Sequence, residues 1–261
     1  MNKITHLDLD NLAFDIIEEV NNLNLIEEFN VTFKSINDAV TNVDLSLQNI
    51  IKVAILKLDP KAVIISEENY SEVKTNNGSV WIIDPLDGTS NLIKQIKYKA
   101  ISIAKVNHNE KLAGLIIDLE SMDTFTAVRS KGFLYNKTIP LSVEPSIKLL
   151  GASTGFLKTL VEKKRRIPQG WNIRVLGSQA LQLCYVALGR LNASVSIEAK
   201  AWDDVAGALM VEESKGSYYS DVINQSNWIS SALNNKNLKS VATSFNLADE
   251  DKDIIMELMH E

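Results

Sequence analysis

The apolar run Val80-Trp81-Ile82-Ile83 leads without a break into Asp84-Pro85-Leu86-Asp87-Gly88-Thr89-Ser90-Asn91. Consecutive large apolar residues bounded by turn formers read as a buried strand, which calls for a layered architecture around it. The strand ends on two carboxylates three residues apart. Pro85 stiffens the backbone between them, Gly88 allows a sharp turn, and Thr89 and Ser90 open a helix. Such a loop can aim Asp84, Asp87 and the Leu86 carbonyl at a hard cation, while the first N–H groups of the helix face a phosphate. Asp-Gly alone is an ordinary turn. The whole octapeptide behind a buried strand points to metal-assisted phosphate chemistry.

The flanking segments supply the layers. Leu9, Leu12, Ala13, Ile16, Ile17 and Val20 recur at helical spacing, as do Leu47, Ile50, Ile51, Ala54 and Ile55 in a helix over 43–58 that Pro60 stops. A polar stretch, Lys34 to Asn42, joins them. Short strands are expected at 62–66 and 80–83. A hairpin of 100–106 with 112–119 follows, and 124–129 and 133–143 extend an antiparallel sheet. The second half alternates: strand 149–153, helix 178–188 ended by Gly189, strand 193–197, helix 203–214, strand 240–244 and helix 251–259. Glu162 to Arg166 reads as a solvated basic loop. The fold class is α/β (α+β), a layered architecture.

At 261 residues the chain has ample length for a buried core, and 45% hydrophobic with 23% charged residues is ordinary for a globular protein. A net charge of −6 argues against a general nucleic-acid or membrane-surface binder, although bound cations can still bring in anionic substrates. The single cysteine, Cys184, fits a reducing compartment. With a polar, acidic start and no long apolar run, a cytoplasmic location is expected.

Further acidic positions could join the first loop. Glu67-Glu68 ends the strand before Asp84 and, if the two strands are neighbours, Glu67 reaches the same cation. Taken alone, it is a solvated strand end. Trp202-Asp203 opens a helix whose Ala206-Gly207-Ala208 allows close packing, and Thr41-Asn42-Val43-Asp44 opens another; each is also an ordinary helix cap. Clustered carboxylates cannot all stay ionised without cations. A phosphomonoester adds roughly two more negative charges, so about two to three divalent ions would balance the site. His6, His108 and His260 lie near the termini or in a hairpin turn, away from any place a histidine nucleophile or zinc site would need.

Together these motifs resemble the inositol monophosphatase family of Mg²⁺-dependent, typically lithium-sensitive phosphatases. The family patterns Gly-Glu-Glu, Asp-Pro-(Ile/Leu)-Asp-Gly-Thr-x-Asn and Trp-Asp-x-Ala-(Ala/Gly)-Gly appear as Ser66-Glu67-Glu68, Asp84 to Asn91, and Trp202 to Gly207. Thr41 to Asp44, preceded by Lys34 and Asp38, matches a Thr-x-x-Asp element. Arg174-Val175-Leu176-Gly177-Ser178 resembles the segment beside the substrate. The likeness runs from about Lys34 to Gly216 in family order.

The resemblance implies an α-β-α-β-α sandwich forming one unit over 1–261. Its N-terminal α+β half (about 1–145) and C-terminal α/β half (about 146–261) would share the active site, usually in a homodimer. By position, Glu67, Asp84, the Leu86 carbonyl, Asp87 and Asp203 would hold two to three Mg²⁺. Gly88, Thr89 and Ser90 would line the phosphate, and Asp87, Gly177, Ser178, Gln179, Glu198 and Asp203 the rest of the substrate. Asp44, Thr89 and Glu67 would serve direct in-line attack by a metal-activated water. The implied substrate is a small polyol phosphate, inositol 1-phosphate first. The alternatives are the 2′-phosphate of NADP, 3′-phosphoadenosine 5′-phosphate, fructose 1,6-bisphosphate and histidinol phosphate, and more remotely a non-catalytic phospholigand-binding role. Three departures stand out. Ser66 replaces a glycine, Asn91-Leu92-Ile93-Lys94-Gln95 replaces Asn-Phe-x-His, and Gln179 stands where inositol-specific members have a small residue. Seven residues before Asp203 stands Ser196, with the acidic Glu198 shifted by two.

Overall fold

The computed structural model describes residues 4–23, 30–35, 38–72, 79–107, 110–141, 143, 146–221 and 227–260. In chain order the elements begin α1 (His6–Asn22), β1 (Val31–Ser35), β2 (Asp38–Thr41), α2 (Asn42–Leu58), β3 (Val63–Ser66), β4 (Ser79–Asp87) and α3 (Thr89–Ile93). Next come β5 (Ala100–Asn107), β6 (Glu110–Asp118), β7 (Thr124–Val128), β8 (Gly132–Tyr135), β9 (Lys148–Ala152), α4 (Thr154–Glu162) and β10 (Trp171–Arg174). The chain continues with α5 (Gln179–Ala187), β11 (Ala193–Ala199), α6 (Ala201–Glu213), β12 (Ser217–Ser220), α7 (Trp228–Leu233), β13 (Leu238–Thr243) and α8 (Asp249–His260).

Helices α1 and α2 each start at a threonine, Thr5 or Thr41, whose side chain accepts a first-turn N–H. An aspartate three residues on, Asp8 or Asp44, returns a bond to the cap backbone. Their apolar stripes bury Leu9, Leu12, Ile16, Leu47, Ile51 and Ile55 against Trp81, Ile83, Ile101, Ile103, Leu115 and Ile117. Those six residues form one face of a sheet ordered β3-β4-β5-β6-β7-β8, in which β3 and β4 run parallel and the remaining neighbours antiparallel. The opposite face, including Ile65, Val80, Ile82, Ile116 and Phe125, packs on α5 and α6. Helices α5 and α6 also lie on a second sheet, ordered β10-β9-β11-β13-β12, whose far side is covered by α4 and α8. The expected α-β-α-β-α sandwich is thus present, and β4, covered on both faces, is apolar at every position from Val80 to Ile83.

The central helices approach closely because Gly207 on α6 meets α5 directly. A Cβ built there would lie 2.5 Å from the Leu183 Cβ. That neighbour is fixed by its own helix backbone, so no rotamer change relieves the clash. Gly207→Ala is therefore expected to lower unfolding stability by roughly 1–3 kcal/mol, read as a drop in urea midpoint with an unchanged slope.

Several segments differ from the sequence expectation. The polar stretch Lys34–Asn42 contains the end of β1, all of β2 and the cap of α2 rather than only a connection, although residues 36 and 37 and the side chains of Lys34 and Asp38 lie outside the described residues. The strand expected over 133–143 stops at Tyr135, because Asn136 and Lys137 take left-handed φ values of 47° and 64° and turn the chain. Glu162 closes α4 instead of opening a loop. Strands β10 and β12 are the two edges of the second sheet; each has four residues of which one is buried, so their short polar-apolar sequences carry little strand signal.

Candidate active site

In a regular strand, side chains three apart point to opposite faces. Asp84 and Asp87 do not, because β4 bulges between them. Asp84 pairs with Ser102 and Asp87 with Ala100, so three steps on β4 face two on β5. Pro85 sits inside the bulge, where its missing N–H costs no ladder bond. The extra residue turns Asp87 toward α5, and its Oδ2 accepts the Ser178 hydroxyl at 2.7 Å and the Ala180 N–H at 2.6 Å. Asp84 is held by the Leu86 N–H at 2.9 Å. Gly88 then turns the chain at φ 103°; a Cβ there would stand 2.8 Å from the Tyr98 carbonyl oxygen. The next residue begins α3.

Parallel pairing of Ser66 with Ile83 places Glu67 beside Asp84 at the strand ends, where the Glu67 N–H donates to the Ile83 carbonyl at 3.3 Å. Asp203 arrives from the other half of the chain. The Ser102 hydroxyl, opposite Asp84 on β5, donates to the Trp202 carbonyl at 2.8 Å, and the Trp202 ring packs on Tyr70 at 5.5 Å between centroids. Asp203 accepts the Lys200 N–H at 2.7 Å in the first turn of α6. Asp44 reaches the same place from α2. Its Oδ2 takes the Thr41 N–H and hydroxyl in the capping box, and its Oδ1 accepts the Thr89 hydroxyl at 3.0 Å. Thr89 Oγ1 also lies 3.2 Å from the Leu86 carbonyl oxygen.

Burial pushes the Asp84 carboxyl well above the ordinary range, and the charges of Glu67, Asp203 and Asp87 push it further. Asp203 is raised well above that range by burial and by Asp87 and Glu67. Burial raises Asp87 to about 6, against the lowering effect of its hydrogen bonds from Ser178, Ala180 and Gln179. A carboxyl raised in the folded chain binds more protons there than when unfolded. These groups therefore weaken the metal-free fold as pH rises through the ordinary carboxylate range and, for Asp87, up to about 6. Among the described residues no three acidic or histidine side chains stand at common ligating positions. The donor set nevertheless fits hard divalent cations: it is all oxygen, buried at Asp84 and Asp87 and half-buried at Glu67 and Asp203, mutually repelling, and oriented by N–H bonds to one edge of each aspartate.

Beside the cluster lies a cavity of about 220 Å³ whose lining includes Asp87, Gly177, Ser178, Gln179, Glu198 and Asp203. Glu198 is brought to its rim by a second bulge, in β11, where Ser196 pairs with Ser240 and Ala199 with Leu238. Its Oε1 accepts the Gly155 N–H at 2.9 Å. Ser196 lines the same cavity but is buried, its hydroxyl accepting the Ala199 N–H at 3.3 Å. Ser90 is exposed on α3 and does not line the cavity. His6 pairs with the Thr126 hydroxyl at 3.1 Å, away from the cluster, and His108 and the His260 side chain lie outside the described residues. Sequence reasoning gave no role to Asn91, whose amide donates to the Tyr98 and Leu176 carbonyls at 2.6 and 2.9 Å and ties α3 to the loop before α5. Its place in the octapeptide was the available signal. Ser102 carried none.

Five alternating layers with a buried carboxylate pocket beside a helix start define the architecture of a layered α/β phosphatase. The inositol monophosphatase family model matches residues 9–225. The chain is 35% identical over 203 residues to the "Nus factor SuhB" of Pasteurella multocida, covering 73% of this chain and 74% of that one. It is 30% identical over 200 residues to the "Inositol-1-monophosphatase" of Rhizobium meliloti, covering 73% and 75%. A solved IMPase/NADP phosphatase complexed with Mg²⁺ and phosphate superposes with a TM-score of 0.74 at 19% identity, covering 97% of this chain and 95% of that one. The chain belongs to the inositol monophosphatase family, a family of phosphatases. Among the described residues no helix is long and apolar enough to cross a membrane.

Proposed function

We propose that this chain is a Mg²⁺-dependent phosphomonoesterase acting on a small polyol phosphate, with inositol 1-phosphate the leading substrate. The observation that carries the reading is the Thr89–Asp44 hydrogen bond set beside a largely buried cluster of mutually repelling carboxylates. The name of the Rhizobium relative and the Mg²⁺ and phosphate in the superposed structure support it. Glu67, Asp84, the Leu86 carbonyl, Asp87 and Asp203 would hold two to three divalent ions. These ions supply positive charge for the phosphoryl oxygens and the departing alkoxide.

The chain's own groups do the rest. The N–H groups of Gly88 and Thr89 bind phosphoryl oxygens at the start of α3. Thr89 Oγ1 takes a proton from the attacking water while passing its own to Asp44 Oδ1. The new P–O bond forms in line as the ester P–O bond breaks, and no phosphoenzyme is needed.

The test is phosphate release with titrated Mg²⁺ across inositol 1-phosphate, the 2′-phosphate of NADP, adenosine 3′,5′-bisphosphate, fructose 1,6-bisphosphate and histidinol phosphate. Inositol 1-phosphate is expected to give the highest kcat/KM, with no release in excess chelator. Equal release with and without chelator would refute the metal requirement, and faster turnover of a bisphosphate would refute the substrate class.

A further inference from the structure

Glu67 and Asp203 come from opposite halves of the chain, and the charge of Glu67 bears on Asp203. Repulsion of that kind drives two turns apart unless something holds them. Here a ring of side-chain contacts does so. Directly after Ser66 the chain turns, with the Asn69 N–H on the Ser66 carbonyl at 3.0 Å and the Ser66 N–H on Asn69 Oδ1 at 3.1 Å. Tyr70 then opens a 3-10 segment, Tyr70–Glu72. Its ring packs on the Trp202 ring at 5.5 Å between centroids and 31° between planes, within the range of favourable aromatic pairs. Trp202 is itself anchored: it is buried, and its carbonyl accepts the Ser102 hydroxyl at 2.8 Å.

The ring closes through Asn235, which follows α7 in the left-handed conformation at φ 48°. The Asn235 amide donates to the Tyr70 hydroxyl at 3.1 Å, and the Asn235 carbonyl accepts the Lys200 ammonium at 2.8 Å. Lys200 in turn gives its backbone N–H to Asp203 Oδ2 at 2.7 Å. Tyr70 thus reaches the Asp203 turn by two routes, one through the Trp202 ring and one through Asn235 and Lys200. In the sequence Tyr70 stands just past Glu67, and Trp202 just before Asp203. A contact so close to both acids fixes their separation. Resting on the cation site of the reading above, we propose that Tyr70 is a positioning residue for that site. Stacked on Trp202 and bonded to Asn235, it holds the Glu67 turn against the Asp203 turn before an ion binds. Binding to acids already gathered avoids the cost of gathering them, so the stack raises affinity for divalent cations.

The experiment titrates the full-length chain with Mn²⁺, which takes oxygen ligands as Mg²⁺ does. Free ion is read by electron paramagnetic resonance, with no substrate present. Tyr70→Ala is expected to raise the Mn²⁺ dissociation constant about tenfold. Tyr70→Phe keeps the ring and should stay within about threefold of wild type. Tyr70→Leu keeps apolar bulk without a ring face, so it should weaken binding by more than about threefold. It also serves as the test if Tyr70→Ala does not fold. Metal-free Tm is measured alongside, because a merely structural role lowers Tm and leaves Mn²⁺ affinity where it was. Wild-type affinity in Tyr70→Ala or Tyr70→Leu overturns the positioning role, and Tyr70→Phe binding as weakly as Tyr70→Ala overturns the stack as the holding contact. A wild type that binds no Mn²⁺ would overturn the cation-site reading and this inference with it. Normal wild-type binding with unmoved variants overturns this inference alone.

Discussion

Asp87→Asn is expected to reduce phosphate release at saturating Mg²⁺ by about a thousandfold or more, roughly 4 kcal/mol of barrier, while the metal-free protein becomes more stable. The two effects come from one atom change. The amide oxygen of asparagine can still accept from Ser178 and Ala180, so the contact between β4 and α5 persists. What disappears is a negative charge that Asp84 and Asp203 both feel. With its carboxyl raised to about 6, Asp87 is ionised at neutral pH at a conformational cost on the order of 2–3 kcal/mol. The variant escapes that cost, so its advantage in metal-free thermal stability should be clear at pH 7.5 and fade as pH falls through 6 toward the ordinary carboxylate range. It should also gain less stability from added Mg²⁺ than the wild type, because linkage stabilisation scales with affinity. Unchanged turnover, or an equal rise in Tm with Mg²⁺, would remove Asp87 from the proposed cation set.

Asp44→Asn separates proton handling from cation holding. Its expected signature is a fall in kcat of about 10²- to 10³-fold, with the Mg²⁺-dependent rise in Tm preserved. Asparagine can keep the capping bond from the Thr41 N–H, so the start of α2 survives. Its amide nitrogen, turned toward Thr89, donates where the carboxylate accepted, and the Thr89 hydroxyl then turns to the Leu86 carbonyl 3.2 Å away. The route for a proton from water through Thr89 to a carboxylate is broken without removing a proposed cation ligand. Measured side by side, the two variants should differ in metal response more than in turnover. A matching loss of Mg²⁺ stabilisation in Asp44→Asn would place that residue among the cation ligands instead.

Much of the fold could be read in advance because the informative segments carry strong periodicity. The stripes of α1 and α2 and the unbroken apolar run of β4 each admit few structures. Short and one-sided elements could not be read so well. β10 and β12 are edges, β1 and β2 pair mainly with each other, and α4 buries chiefly Phe156 and Leu160. The candidate site divides the same way. Asp44, Thr89, Asp84, Asp87 and Asp203 lie in motifs whose spacing is local. How they meet depends on register shifts in β4 and β11, which arise from pairing with β5 and β13; Pro85 marks the first, and nothing in the residue types marks the second. Glu198 shows the consequence. By counting it is two places out of step, yet the bulge in β11 carries it to the cavity rim. The hydrogen bonds that the buried Asp204 accepts from Gln179 and the Tyr218 hydroxyl were hidden for another reason: Tyr218 belongs to an edge strand, and Asp204 was overshadowed by its neighbour Asp203.

The kink at Pro85 and Leu86 also governs which kinds of genetic change this segment can absorb. A substitution that abolished the bulge, leaving three steps on β4 facing three on β5, would send the Asp87 carboxylate into the aliphatic layer beneath α1 and α2. Deleting one residue between the two aspartates would instead leave two steps facing two, and both carboxylates would stay on the face toward α5 and α6.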